Sequence, residues 1–200
     1  MSTEKKRPKI QSRQLITTVS IDILLTIVLF DNFSQWGTYQ TLSAKIVGVF
    51  ACIYVLNDWM TTRSSFAVYS PRIFFTDIIT IFLFANFPNA LSDSSNLWGY
   101  SPFFWLAVAL VEFSYAFWDM VIKEASPTKE GQKNMIIWVY LTFLSTMLAL
   151  GTFIYQVFGT SLIIGHAASA IVIIYLGGMT IKWNWERYQR SKAEGTPFLN

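Results

Sequence analysis

The sequence predicts an all-α, polytopic membrane protein: a bundle of six transmembrane helices with both termini in the cytoplasm. Three observations carry this. Only 14% of the 200 residues are charged and 53% are hydrophobic, against about 25% charged in a soluble domain. The apolar residues fall into six long runs, each at least ~19 residues or ~28 Å of helix, enough to cross the hydrocarbon core. The basic residues alternate between the two sides of those runs. Barrel strands would alternate polar and apolar residues, whereas helices satisfy their own backbone in lipid and tolerate continuous apolar sequence.

Residues 1–14 form a basic tail with Lys5, Lys6, Arg7, Lys9 and Arg13, and Pro8 argues against a helix through its middle. A basic stretch before an apolar run can open a signal peptide. Here the run is too long, and Asp31-Asn-Phe-Ser-Gln-Trp36 offers no small-x-small cleavage site. The first run therefore reads as an uncleaved span over 15–33. Further spans are expected over 42–60, 73–91, 102–122, 135–158 and 161–181, giving a membrane domain over 15–181. The tail over 182–200 opens with Lys182-Trp-Asn-Trp-Glu-Arg-Tyr-Gln-Arg190. It is expected to continue the last span along the inner surface, where basic and aromatic residues suit anionic lipid.

Fourteen of the fifteen Lys and Arg lie in the two tails and in the connections after spans two and four. Only Lys45 falls on the other side, where its long stem can snorkel outward. The positive-inside rule then places both termini in the cytoplasm of a multi-pass cell-membrane protein. All eight tryptophans sit near span ends: Trp36, Trp98 and Trp105 at the outer face, Trp59, Trp118, Trp138, Trp183 and Trp185 at the inner face. This is the pattern of interfacial aromatic belts. In span six, Gly165 and Ser169 share a face and suit close helix packing in lipid.

A duplicated hairpin is a further expectation. Thr26-Ile-Val-Leu-Phe-Asp-Asn-Phe33 matches Thr80-Ile-Phe-Leu-Phe-Ala-Asn-Phe87 at six of eight positions. Tyr54-x-x-x-Asp58 in span two likewise matches Tyr115-x-x-x-Asp119 in span four. Spans one and two would then repeat as spans three and four, about an axis along the membrane normal.

Several chemistries are excluded. Cys52 is the only cysteine, so no intramolecular disulfide and no cysteine metal site can form. His166 is the only histidine, which removes bis-histidine haem ligation within one chain. There is no Gly-rich phosphate loop, no H-E-x-x-H and no Gly-x-Ser-x-Gly. No cofactor, metal or catalytic residue is expected. Nucleic acid is not a partner either, because the basic residues are spent on topology.

The informative residues are acids inside the spans. Glu112 falls in the middle of the fourth run, where a charge costs at least ~3 kcal/mol and such a residue normally faces protein or water. Asp22 and Asp77 stand early in spans one and three, and Asp58 and Asp119 late in spans two and four, so all four belong to the inner leaflet. Helical spacing groups Glu112, Tyr115 and Asp119 on one stripe, Thr18, Asp22 and Thr26 on another, Asp77 with Thr80, and Tyr54 with Asp58. Convergence of the stripes would make a polar funnel from the cytoplasm to Glu112. A carboxyl group deprived of water favours its neutral form and can take up and release a proton.

Plainer roles compete. Asp119 can pair with Lys123 and Asp58 with Arg63 at the helix ends. Glu112 can be a protonated strut to Tyr115 or Asn57. His166, near the outer surface and far in depth from the acids, suits a polar contact between helices. The first functional reading is a small transporter or ion- or proton-conducting protein. The second is a non-catalytic accessory, immunity or assembly subunit. A lipid-modifying enzyme comes third; it would need a lateral pocket holding His166 and an acid. The bilayer is the expected environment, a small ion or solute the expected ligand. A homo-oligomer or a partner membrane protein is compatible with so small a bundle.

Overall fold

The computed structural model describes residues 12–64, 71–125 and 129–194. They form α1 (Ser12–Gln35), a single 3₁₀ turn (Trp36–Thr38), α2 (Leu42–Ser64), α3 (Pro71–Ala85), α4 (Phe87–Ser92), α5 (Phe103–Ala125), α6 (Lys129–Phe158) and α7 (Leu162–Glu194). No strand occurs among the described residues. Six helices are long and apolar enough to cross a membrane, with α3 and α4 together making the third. The chain is a multi-pass helical membrane protein. Phe30, Ile163 and Ile174 on the outer faces of α1 and α7 are exposed, as side chains that meet acyl tails should be. Helix α7 continues without interruption from the last span through the basic-aromatic segment to Glu194.

The third span is broken for a local reason. Pro88 has no N–H to give to the carbonyl of Phe84, four residues back. The helix stops at Ala85, turns at Asn86 and restarts at Phe87. The bare Phe84 carbonyl is taken by Asn32 of α1, whose Nδ2 donates to it at 3.3 Å and to its own Val28 carbonyl at 2.9 Å. Asn32 belongs to the buried face of α1 with Ile21, Leu25 and Val28. Its counterpart in the proposed repeat, Asn86, is exposed and bonds only within its own span, to Phe82 O at 2.7 Å. The matched segments thus occupy unlike surroundings.

The bundle has two different ends. At one, Thr41 and Ser43 at the start of α2 donate to the carbonyls of Gly99 (2.8 Å) and Trp98 (2.7 Å) before α5. Gly99 has φ +76°, a conformation that favours glycine. The Trp98 indole donates to Gln156 O at 2.7 Å near the end of α6, and its ring lies on Gly165 at the start of α7. A Cβ on Gly165 would stand 2.1 Å from that ring. Gly165 therefore admits an indole from a loop, not the neighbouring helix expected from its spacing.

The middle of this Trp98 end is filled, and an open groove of about 250 Å³ lies to one side, between α4 and the start of α5. Tyr100 OH lies 3.0 Å from each of Ser169 Oγ, Trp105 Nε1 and Gln156 Nε2, all buried. Below it Phe50, Phe84, Phe87, Phe104 and Trp105 pack ring against ring. At the opposite, acidic end, Asn184 of α7 donates to Asn57 of α2 at 3.0 Å, and Trp138 and Trp183 meet edge to face at 4.9 Å.

Half of the tryptophans turn into the bundle instead of outward. Trp36 and Trp185 are exposed, whereas Trp98, Trp105, Trp118 and Trp138 are buried in the bundle. The belt expectation is corrected for these four. The interior offers the Trp98 and Trp105 N–H groups an acceptor, which removes the need for a headgroup.

Candidate functional site

The hollow acidic end holds a partly open cavity of about 100 Å³ bounded by α2, α3, α5, α6 and α7. That is room for several waters, each needing roughly 10–15 Å³ by the same measure. Four carboxylates reach it: Asp58 from α2, Asp77 from α3, and Glu112 and Asp119 from α5. All four side chains are buried. No Lys or Arg is among the described residues that line it.

Each acid is held differently. One oxygen of Glu112 accepts from the Tyr54 hydroxyl of α2 and the other from the Ser145 hydroxyl of α6. Asp58 accepts from the Tyr115 hydroxyl of α5. Helices α2 and α5 thus exchange contacts, each offering one tyrosine and one carboxylate. Asp119 accepts from Thr142 Oγ1 at 3.0 Å. Asp77 is the exception: it is 8% exposed, and its Oδ2 is buried with no hydrogen-bond partner. A buried carboxylate oxygen without a donor is rare in a folded protein and calls for an unseen partner such as water or a ligand.

A count of hydrogens says more about Glu112. Ser145 Oγ lies beside Glu112 Oε2 and 2.7 Å from Thr142 O, yet it carries one hydrogen for two acceptors. Ser145 shares that hydrogen between the backbone of its own helix and Glu112. Thr142 Oγ1 is placed likewise, 3.0 Å from Asp119 Oδ2 and 2.9 Å from Trp138 O.

The rest of the wall is largely aromatic. Tyr54, Tyr115, Trp118, Trp138 and Trp183 border the cavity, with Leu176 and Met179 of α7. The indole N–H of Trp183 is also buried without an acceptor. Among the described residues no group of three His, Cys, Asp or Glu side chains stands close enough to hold a metal ion.

Of the residues singled out in the sequence, Asp58, Asp77, Glu112, Tyr115 and Asp119 meet in this one cavity. Asp22 does not. The buried face of α1 is Ile21, Leu25, Val28 and Asn32, which turns Asp22 to its half-buried flank and Thr26 outward. Thr26 Oγ1 instead bonds the Asp22 carbonyl at 2.7 Å. The side chains of Thr18, Arg63 and Lys123 lie outside those described, and with them the Asp58–Arg63 and Asp119–Lys123 pairs. Glu112 takes Tyr54 and Ser145 as partners, not Tyr115 or Asn57. His166 is exposed at the Trp98 end, edge-on to Trp98 at 6.1 Å, and is not among the residues that line the acidic cavity. Sequence reasoning missed Ser145, Thr142 and the tryptophan walls. Ser145 and Thr142 are three apart on the face of α6 turned to α5, a weak signal that only the packing makes readable.

Comparison of the chain with family models, curated proteins and solved structures returned no match.

Proposed function

We propose that this protein carries protons or small cations across a membrane through the acidic cavity, which faces the cytoplasm together with both termini. The observation that supports this most is Asp77, whose buried oxygen has no donor in a cavity that four carboxylates and no Lys or Arg line. Carboxylates at this depth ordinarily mark ion paths or proton relays. On this reading Asp77 is the exchangeable site. Glu112 is the buried end of the path, able to pass a proton to Asp58 or Asp77 through water in the cavity.

The test is reconstitution into liposomes loaded with a pH-sensitive dye, under an imposed pH gradient and an imposed potential. Wild type should dissipate the gradient, and Asp77→Asn should fall to the rate of protein-free vesicles while eluting as a folded species. Wild-type vesicles no leakier than empty ones, or full flux in Asp77→Asn, would remove the reading. The accessory-subunit reading has its own support: Glu112 is fully bonded and ties α2, α5 and α6 together, as a purely structural acid would. It predicts no flux and a defined membrane partner.

A further inference from the structure

The walls of the cavity say more about its occupant than the acids do. A metal cation wants several oxygens at close range, and no three acidic, His or Cys side chains among those described stand in such a group. The carboxylates are spread round a space that rings otherwise enclose. Trp138 and Trp183 meet at 88° and 4.9 Å, so two indoles form a perpendicular corner. Trp118 and the two tyrosines continue the wall. A corner of ring faces beside a carboxylate is how proteins hold ammonium groups, through attraction of the cation to the ring quadrupole. The chain already shows this chemistry: Lys182 Nζ lies over the Trp138 ring, 5.4 Å from its centre.

Size limits what enters. About 100 Å³ is smaller than the roughly 150 Å³ that admits a benzene ring in an engineered cavity, so the space takes an ammonium head and little more. Leu176 and Met179 give apolar substituents a surface, and the open side leaves room for a longer one.

We propose that the cavity binds an apolar organic monocation, an amine or quaternary ammonium, with its charge against the Asp77 carboxylate, whose Oδ2 has no donor, and its substituents in the corner where Trp138 and Trp183 meet. This rests on the transport reading only in taking the cavity as the ligand's path; binding itself can be measured without flux.

The probe is benzyltrimethylammonium, titrated into purified protein in nanodiscs and followed by tryptophan fluorescence. Controls are K⁺, Mg²⁺ and neopentylbenzene, the neutral isostere. Saturable binding of the ammonium, absent for the two metal ions and the isostere, is expected. Asp77→Asn and Trp183→Leu should each weaken it at least roughly tenfold, the scale of one desolvated charge or ring contact. Trp183→Phe, which keeps a ring, should retain most of the affinity and guards against misfolding as the cause. The same probe is then tested in liposomes. Proton flux without ammonium binding overturns the organic-cation proposal and leaves the transport reading standing. Ammonium binding without any flux supports the site and overturns transport. Binding unchanged by Asp77→Asn and Trp183→Leu overturns the proposed location, and neither flux nor binding overturns both.

Discussion

Glu112 and Asp77 line the same cavity, yet their surroundings give them opposite roles. Glu112 has a donor on each oxygen, and Asp77 Oδ2 has none. Replacing Glu112 by Leu strands the Tyr54 hydroxyl, while Ser145 falls back on the Thr142 carbonyl at 2.7 Å. One buried unsatisfied hydroxyl costs about 1–3 kcal/mol, so Glu112→Leu should lower the thermal midpoint in detergent. Glu112→Gln, which keeps an acceptor for Tyr54, should lower it less. Equal midpoints for wild type and Glu112→Leu would show that the strut carries no stability. The sequence made the depth of these residues readable, because depth follows from position along a span. Direction round the helix was harder. Asp22 stands only one residue past Ile21, and that rotation of about 100° takes it off the buried face of α1. Which helix supplies a partner was not readable at all, since Tyr54 and Glu112 are 58 residues apart.

At the scale of elements, the broken third span shows a defect repaired by another helix. Pro88 removes a donor, and Asn32 of α1 supplies one to the same carbonyl. Asn32→Leu leaves the Phe84 carbonyl bare among apolar side chains and should cost about 1–3 kcal/mol. Pro88→Ala offers that carbonyl a backbone N–H. The double variant should therefore lose less stability than the two single losses added, a coupling that a double-mutant cycle reads directly. Simple additivity would mean that the two sites are independent. Six spans could be counted from hydropathy because each run is long enough to cross the hydrocarbon core, whatever its partners. The break at Asn86 was visible as a proline inside a run, but its compensation was not. A lone Asn in an apolar span says that it needs a partner without saying where.

Across the whole molecule the asymmetry of the two ends is what gives the proposal a direction. At the Trp98 end the middle of the bundle is closed by Tyr100 in contact with Gln156, Ser169 and Trp105, and the open groove there lies to one side, along α4 and the start of α5; at the acidic end the space lies within the bundle and holds four carboxylates. A solute entering from the hollow side meets charge at once, and it can leave only if the closed side opens. On the proposed reading the charge bias of the connections puts the hollow side in the cytoplasm, and this can be measured without reference to function. Thr160, in the turn between α6 and α7, and Gln189, late in α7, are both exposed and lie toward opposite ends. Cys52 is buried, so single cysteines at these two positions can be read against a low background. In intact cells an impermeant thiol reagent should label Thr160→Cys at once and Gln189→Cys only after permeabilisation. The reverse pattern would turn the cavity outward and make the acids a site of capture from outside. Labelling of both in intact cells would break the six-pass arrangement, since the single crossing of α7 between Thr160 and Gln189 keeps the two positions on opposite sides.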